Sequence, residues 1–271
     1  MAETGMLPVA VCRICSAIAP PFARALVMNR HNVQYYRCEV CGFVQTEEPY
    51  WLDEAYAEPI TSSDIGLVSR NLGLACITKS VISMCFDASG RFLDYAGGYG
   101  LLVRLMRDAG YDFLWYDRYC NNLFANGFAV SPEECTPFDL VTAFEVIEHM
   151  RNPLQEMEEV ISRSRNVLFT TEIIPPTPPQ PESWWYYGLD HGQHISLFTL
   201  KSLEVIAQKF SLNFYTNGKS IHLFTEKRIS PILFRLASLY RYASLFNIVY
   251  RRASLQSIDY EEMQSVHGKA K

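Results

Sequence analysis

No stretch of this 271-residue chain reaches the roughly 18 uncharged apolar residues that a membrane-spanning helix needs. The opening MAETGMLPVAVC has no basic segment followed by a long apolar run, so no secretory signal is expected. The expected location is the cytoplasm. An excess of positive charge is missing too. With 24 Lys and Arg against 29 Asp and Glu, the net charge is -5, which argues against non-specific nucleic-acid binding as the main activity. In a reducing compartment disulfides are not expected, so the eight cysteines read as thiols or metal ligands. What the chain does have is a hydrophobic fraction of 49% and an aromatic fraction of 13%, enough for the core of one large α/β domain with a small appendage.

Four of the cysteines are paired in the sequence. Cys12-Arg-Ile-Cys15 and Cys38-Glu-Val-Cys41 are two CxxC pairs, with 22 residues between Cys15 and Cys38. Each pair can place two thiolates on one tight turn, and two such turns give the tetrahedral sulfur cage that Zn²⁺ prefers. Gly42 suits the unusual dihedrals of such a knuckle. Four thiolates leave no open position, so the expected role is structural, folding a segment too small for its own core. Unliganded buried thiols or a redox pair are the alternatives. Cys76, Cys85, Cys120 and Cys135 lack this spacing and read as ordinary core residues.

Beyond the cysteines, residues 53–90 read as mainly helical. Strands then alternate with helices: strands over 91–96, 111–116, 128–130, 139–144 and 166–171, and helices over 101–109, 153–162 and 199–209. A β-hairpin over 212–226 closes the series on the turn Thr-Asn-Gly-Lys. The alternation predicts a doubly wound, Rossmann-like parallel sheet of seven strands with an antiparallel terminal hairpin, plus a small zinc-ribbon-like module before it. The expected division is a zinc-binding module at 1–52, a catalytic domain at 53–228 and a helical tail at 229–271.

Ligands of such sheets sit beyond the carboxyl ends of the strands. There the sequence places Asp94-Tyr95-Ala96-Gly97-Gly98-Tyr99-Gly100 after one strand and Asp117 after the next. The glycines let a ligand approach the backbone, and Asp117 can accept ribose hydroxyls. This fits nicotinamide cofactors and S-adenosylmethionine alike. A dinucleotide fingerprint counted from Gly98 wants glycine or alanine where Val103 stands, which provides poorly for a pyrophosphate. Asp94 could meet the cationic amino-acid end of S-adenosylmethionine.

At these residues the chain resembles the class I S-adenosylmethionine-dependent methyltransferases. DYAGGYG looks like their first motif, Asp117 like the acid closing their second strand, and FDLVTAFEVIEH (138–149) like their fourth-strand motif. The double-CxxC segment resembles the zinc module on some bacterial methyltransferases of sugars, small metabolites or natural products. The resemblance implies that Asp94, Tyr95, Ala96, Gly97, Gly98, Gly100, Asp117 and Arg118 surround the cofactor, with Phe144 and Glu145 from the fourth strand. It also implies that Tyr56 and Asn71 cover the methionine end. The family's polar contact to adenine has no counterpart in Phe128-Ala129-Val130-Ser131.

Methyl transfer to a hydroxyl needs alignment and removal of a proton. His149, after the fourth strand, is one candidate base and Glu145 a second. SWWYYGLDHGQHISLFT (183–199) adds Trp184, Trp185, Tyr186, Tyr187, His191 and His194 in a loop after the stiff IIPPTPPQP. Its aromatics could stack on an acceptor while His191 and His194 hydrogen-bond or deprotonate it. Each histidine also has an ordinary structural reading, and His31 and His222 are expected to be structural. The expected reaction is methylation of a small molecule, with a hydroxyl of a sugar or glycan precursor favoured over a carbon acceptor. An NAD(P)-dependent reductase and a non-catalytic interaction module are the rivals. The tail has no acid between Lys227 and Ile258 and carries Arg228, Arg235, Arg241, Arg251 and Arg252. It reads either as helices packed on the domain or on a second copy in a homodimer, or as a basic surface for a membrane or lipid-linked acceptor.

Overall fold

The computed structural model describes residues 9–57, 60, 64–132 and 136–269; Cys135 and residues 1–8 lie outside them. The N-terminal module is built from short antiparallel strands. β1 (Ala10–Val11) pairs with β2 (Ile18–Ala19), and the first CxxC turn lies between them. β3 (Pro21–Val27), β4 (His31–Arg37) and β5 (Val44–Thr46) form a second sheet, and the second CxxC turn lies between β4 and β5. The short α1 (Leu52–Ala55) and the long α2 (Leu67–Cys85) follow, so two helices stand where the sequence predicts a mainly helical stretch.

The central sheet comes from β6 (Arg91–Tyr95), β7 (Asp112–Tyr116), β8 (Leu140–Ala143) and β9 (Val167–Thr170), which pair in parallel. β8 and β9 are buried at every position, as unbroken apolar strands covered on both faces must be. Helix α3 (Leu101–Asp108) connects β6 to β7, and α4 (Pro153–Arg163) connects β8 to β9. β10 (Ser196–Leu197) and α5 (Leu200–Lys209) precede the hairpin of β11 (Asn213–Thr216) and β12 (Ile221–Thr225), which joins the sheet antiparallel through β9. The order is β11-β12-β9-β8-β6-β7. The chain reverses its direction of winding between β6 and β8, and this is the crevice where ligands of doubly wound sheets bind.

The seven-stranded expectation needs one correction. Among the described residues the sheet has six strands, and the segment 128–130 contributes a single parallel bridge, Ala129 to Trp115. Gly127, at φ +88°, precedes this segment and Pro132 follows it, so little chain is left for a ladder.

Apolar side chains cover both faces of the sheet. On one face Leu93, Val141 and Phe169 cluster with α4, α5 and the buried cysteines of the N-terminal module, through Phe43 and Phe198. On the other, Phe92, Leu140 and Leu168 pack with α2, α3 and the tail helices α6 (Pro231–Ala237) and α7 (Tyr240–Val249). β10 pairs antiparallel with β5, so the segment carrying the expected acceptor histidines shares a sheet with the cysteine module. The last helix, α8 (Gln256–Lys269), is held by a buried ion pair in which Arg107 Nη2 and Nε donate to Asp259 at 2.7 and 3.0 Å. These contacts match the packed-helix reading of the tail. Among the described residues no helix is long and apolar enough to cross a membrane.

Candidate active site

β6 ends at Tyr95, and the chain turns sharply into α3. Ala96 adopts φ +55°, Gly98 φ +53° and Gly100 φ +82°, so three left-handed residues fall within five positions. At Gly97 the constraint is space: an added Cβ would sit 2.7 Å from Asp94 Oδ2 and 2.9 Å from Trp115 Cδ1. Gly100 begins α3, and a Cβ there would meet Asn122 Oδ1 at 2.6 Å. The glycines therefore permit the tight turn and leave its outer surface bare.

Two carboxylates fix this turn. Asp117 Oδ2 accepts the Gly98 N–H at 2.9 Å, while Oδ1 accepts those of Tyr119 and Cys120 at 2.7 and 2.8 Å. Asp94 lies beneath the turn, only 3% exposed, and accepts the Thr142 hydroxyl at 2.6 Å. Burial pushes the Asp94 carboxyl up to about 7, against the pull of Thr142 and with a small push from Asp117. Asp94 thus supports the loop from below, a placement the sequence alone does not separate from direct ligand contact.

The turn forms one wall of a cavity of about 820 Å³, within the usual size range of small-molecule sites. Asp94, Tyr95, Ala96, Gly97, Gly98, Asp117, Arg118, Phe144, Glu145, Tyr56 and Asn71 all line it. So do His149, His191 and His194. Of the expected cofactor residues and histidines, Gly100 alone does not line the cavity, because it starts the helix behind the turn. Arg118 is half exposed and anchored by Tyr116 and Glu159. Glu145 ends β8 at φ +55°; its N–H donates to Thr170 Oγ1, whose hydroxyl returns a bond to Glu145 Oε1, each 2.7 Å. Left-handed non-glycine residues therefore stand at the ends of both strands that flank the crevice, a placement typical of strain held at functional sites.

The histidines gather opposite. His149 and His194 meet edge to face with centroids 4.9 Å apart, and His191 lies 4.8 Å from His194. His194 Nδ1 donates to the Tyr186 carbonyl at 2.6 Å, which leaves its Nε2 with the lone pair. His149 Nδ1 pairs with the Tyr56 hydroxyl at 3.1 Å. His191 Nδ1 accepts the Gln193 N–H at 3.1 Å, so its Nε2 carries the proton. Burial lowers all three, His194 to about 4 and His149 well below the usual range, and keeps them neutral near pH 7. Beneath them lies the fully buried Glu148, raised to about 8 first by burial and then by Glu145.

The aromatic loop divides. Tyr186 and Tyr187 are 2% and 1% exposed and belong to the core beside the N-terminal sheet, so they do not offer stacking faces. Trp185 is 74% exposed and lines the cavity. Several cavity residues escaped the sequence reading. Leu67, Arg70 and Leu74 join Asn71 on one stripe of α2 at spacings of three and four; that spacing, once Asn71 is placed, is the signal. Tyr119, stacked on Tyr56 at 5.6 Å, had no sequence signal of its own. His222 is structural as expected, bonding Thr216 and the Thr171 carbonyl.

The four thiols Cys12, Cys15, Cys38 and Cys41 lie within 4.8 Å of one another. Sγ–Sγ separations of 3.6 Å (Cys12–Cys41) and 3.3 Å (Cys15–Cys38) approach the roughly 3.8 Å edge of a tetrahedron with Zn–S bonds of about 2.3 Å. The Ile14 and Cys41 amides donate to Cys12 and Cys38 sulfur, and Gly42 takes φ +75°. The donor set fits zinc with no position left for substrate.

A family model described as a methyltransferase domain matches residues 74–216, more than half of the chain. Among curated proteins no sequence matches. Among solved structures, TnmH is similar at 17% identity and TM-score 0.44, over 66% of this chain and 62% of that one. CalO1, a methyltransferase in calicheamicin biosynthesis in its SAH-bound form, is similar at 14% identity and TM-score 0.40, over 66% and 60%. The plantazolicin methyltransferase BpumL is similar at 11% identity and TM-score 0.43, over 65% and 93%. The chain thus spans less than two thirds of the length of TnmH and of CalO1.

Proposed function

The chain belongs to the methyltransferase-domain family, and from that membership we propose that it moves the methyl group of S-adenosylmethionine to a hydroxyl of a sugar or glycan precursor. The observation that carries the reading is the single cavity that joins the bare glycine turn to a cluster of neutral imidazoles. The family sets aside a nicotinamide-dependent reductase.

In this reading Gly97 and Gly98 let the cofactor lie against the backbone, with Gly100 setting the start of α3. Tyr95, Ala96, Phe144 and Glu145 wall its sides, and Arg118 lies near its sugar. A ribose hydroxyl takes the one lone pair that Asp117 Oδ2 keeps after the three backbone bonds. Tyr56 and Asn71 cover the methionine end. S-adenosylmethionine supplies the electrophilic methyl group; the protein aligns the acceptor oxygen and removes its proton. His194, whose Nδ1 is fixed by the Tyr186 carbonyl, offers its Nε2 lone pair for that proton, with His149 beside it and His191 donating a hydrogen bond. The exposed faces of Trp185 and Tyr119 suit the apolar face of a sugar ring. The four cysteines hold one structural Zn²⁺ in a module at 1–52, before a methyltransferase domain at 53–228 and a tail at 229–271.

Transfer of labelled methyl from S-adenosylmethionine to a panel of sugar nucleotides and phenols tests the proposal. The expected result is label on a hydroxyl of the sugar, with kcat reduced about 10²- to 10⁴-fold in His194→Ala and unchanged affinity for S-adenosylhomocysteine. Label only on carbon, or on no acceptor while S-adenosylhomocysteine still binds, would refute the hydroxyl assignment and favour a C-methyltransferase or an interaction module.

A further inference from the structure

Glu148, His149 and His194 bring one carboxylate oxygen and one ring nitrogen each within 4.8 Å of one another. Glu148 has no exposed surface. Its Oε1 accepts the Tyr186 hydroxyl at 2.7 Å, which in turn meets the Thr171 hydroxyl at 3.0 Å, but among the described residues its Oε2 has no hydrogen-bond partner. A buried carboxyl oxygen without a partner is costly, and such an atom in a native structure calls for an explanation, of which a bound ion is one.

Both imidazoles are held from behind. His194 donates its Nδ1–H to a backbone carbonyl, and His149 is engaged at Nδ1 by Tyr56, so each ring is oriented through Nδ1 and keeps Nε2 for another partner. Outer contacts of this kind fix the tautomer and orientation of metal-ligating histidines. Both histidines line the cavity.

We propose that Glu148, His149 and His194 form a second metal site, separate from the cysteine cage, for a divalent first-row transition cation. Two imidazoles and one carboxylate suit Mn²⁺, Fe²⁺, Co²⁺ or Zn²⁺, whereas Mg²⁺ and Ca²⁺ prefer all-oxygen shells. Three protein donors leave positions for an acceptor's oxygen atoms, and adjacent hydroxyls of a sugar could chelate there. An acceptor hydroxyl on the cation gives its proton to water more readily. The resulting alkoxide takes the methyl group, and the sulfonium leaves as the neutral thioether. With the cation bound, the His194 Nε2 lone pair is spent on the metal. His194 then serves proton removal through the cation, by acidifying the bound hydroxyl, rather than by taking the proton directly as in the metal-free reading above. This inference rests on the methyltransferase reading only for the cation's role, not for its binding.

The test is titration of zinc-loaded full-length protein with Mn²⁺ alone, followed by electron paramagnetic resonance, with S-adenosylhomocysteine calorimetry on the same samples. Mn²⁺ disfavours thiolate cages, so the cysteine site stays silent. The site predicts one bound Mn²⁺ per chain with coupling to histidine nitrogen, and affinity about 10- to 100-fold weaker in His149→Ala and in His194→Ala. Zinc content and S-adenosylhomocysteine heat should be unchanged in both variants, which shows that they fold. Free-ion signal up to millimolar Mn²⁺, or binding unaltered in both variants, overturns the site. S-adenosylhomocysteine binding without Mn²⁺ sinks the metal site and leaves the methyltransferase reading standing; Mn²⁺ binding without S-adenosylhomocysteine does the reverse.

Discussion

The hydroxyl of Thr199 donates a 2.6 Å hydrogen bond to the carbonyl of Cys41, tying the N-cap of α5 to the second cysteine knuckle. The same oxygen accepts the Ser202 N–H at 3.0 Å in a capping box. Between this anchor and His194 runs β10, paired with β5. The cysteine module and the histidine cluster are therefore one mechanical unit.

Loss of the proposed zinc should be felt at the acceptor side first. Cys38→Ser is expected to lower zinc content and to cost at least about 3 kcal/mol, below the roughly 10 kcal/mol scale of isolated zinc peptides because neighbouring packing remains. Methyl transfer should fall further than affinity for S-adenosylhomocysteine, whose proposed turn follows β6. Thermal melts, metal analysis and calorimetry on one preparation check this.

Two glycines should respond in opposite directions. Gly97→Ala forces a Cβ to within 2.7 Å of Asp94 Oδ2, so overpacking of about 1–3 kcal/mol and weaker cofactor binding are expected. Gly73, inside α2, has nothing within 4 Å of an added Cβ. Gly73→Ala should stabilise the protein by up to about 1 kcal/mol through helix propensity. Urea unfolding of the two variants decides.

Asp94 should give stability a measurable pH slope. Its folded value, raised to about 7 from 3.8, means that the folded protein holds a proton the unfolded chain has released. Its contribution is complete below about pH 4 and is lost as pH rises through 7, by at most about 1.4 kcal/mol per pH unit. Buried His222, lowered to about 4, acts oppositely: its contribution is present above 6.5 and lost as pH falls through 4. The difference between wild type and Asp94→Asn in urea unfolding at pH 5, 6 and 7.5 isolates the first slope. The wild-type advantage should shrink with rising pH; a constant difference would contradict it.

At the tail, Asp259→Ala leaves the Arg107 guanidinium buried without its bidentate partner, although Asp112 still touches it. A loss of about 3–5 kcal/mol is expected by the usual cost of breaking a buried pair. The double change Arg107→Met with Asp259→Leu should recover much of it.

Much of this molecule could be read from its residues. The continuous apolar runs of β8 and β9, the Thr cap of α5 and the hairpin turn are local signals, and the structure places these elements close to the predicted positions. The glycine cluster and Asp117 could be placed on one rim because strand ends in a parallel sheet share one edge, and there Gly97, Gly98 and Asp117 line the cavity. What escaped was non-local. That Tyr186 turns inward to Glu148 while Trp185 turns out depends on packing against the N-terminal sheet. That Asp94 supports the glycine turn from below depends on Thr142, which is its direct neighbour only across the β6–β8 register. The strand expected at 128–130 shrank to a bridge because flanking residues, not its own apolar pattern, set its length.

The measurement that bears most directly on the central claim is calorimetry of S-adenosylhomocysteine with zinc-loaded protein, wild type against Asp117→Ala. The account predicts one binding event per chain for wild type and affinity weakened about 10- to 100-fold, or roughly 1.4–2.8 kcal/mol, in the variant. No heat with the wild-type protein, or equal affinity in both, would contradict the assignment of the glycine turn and Asp117 to the cofactor.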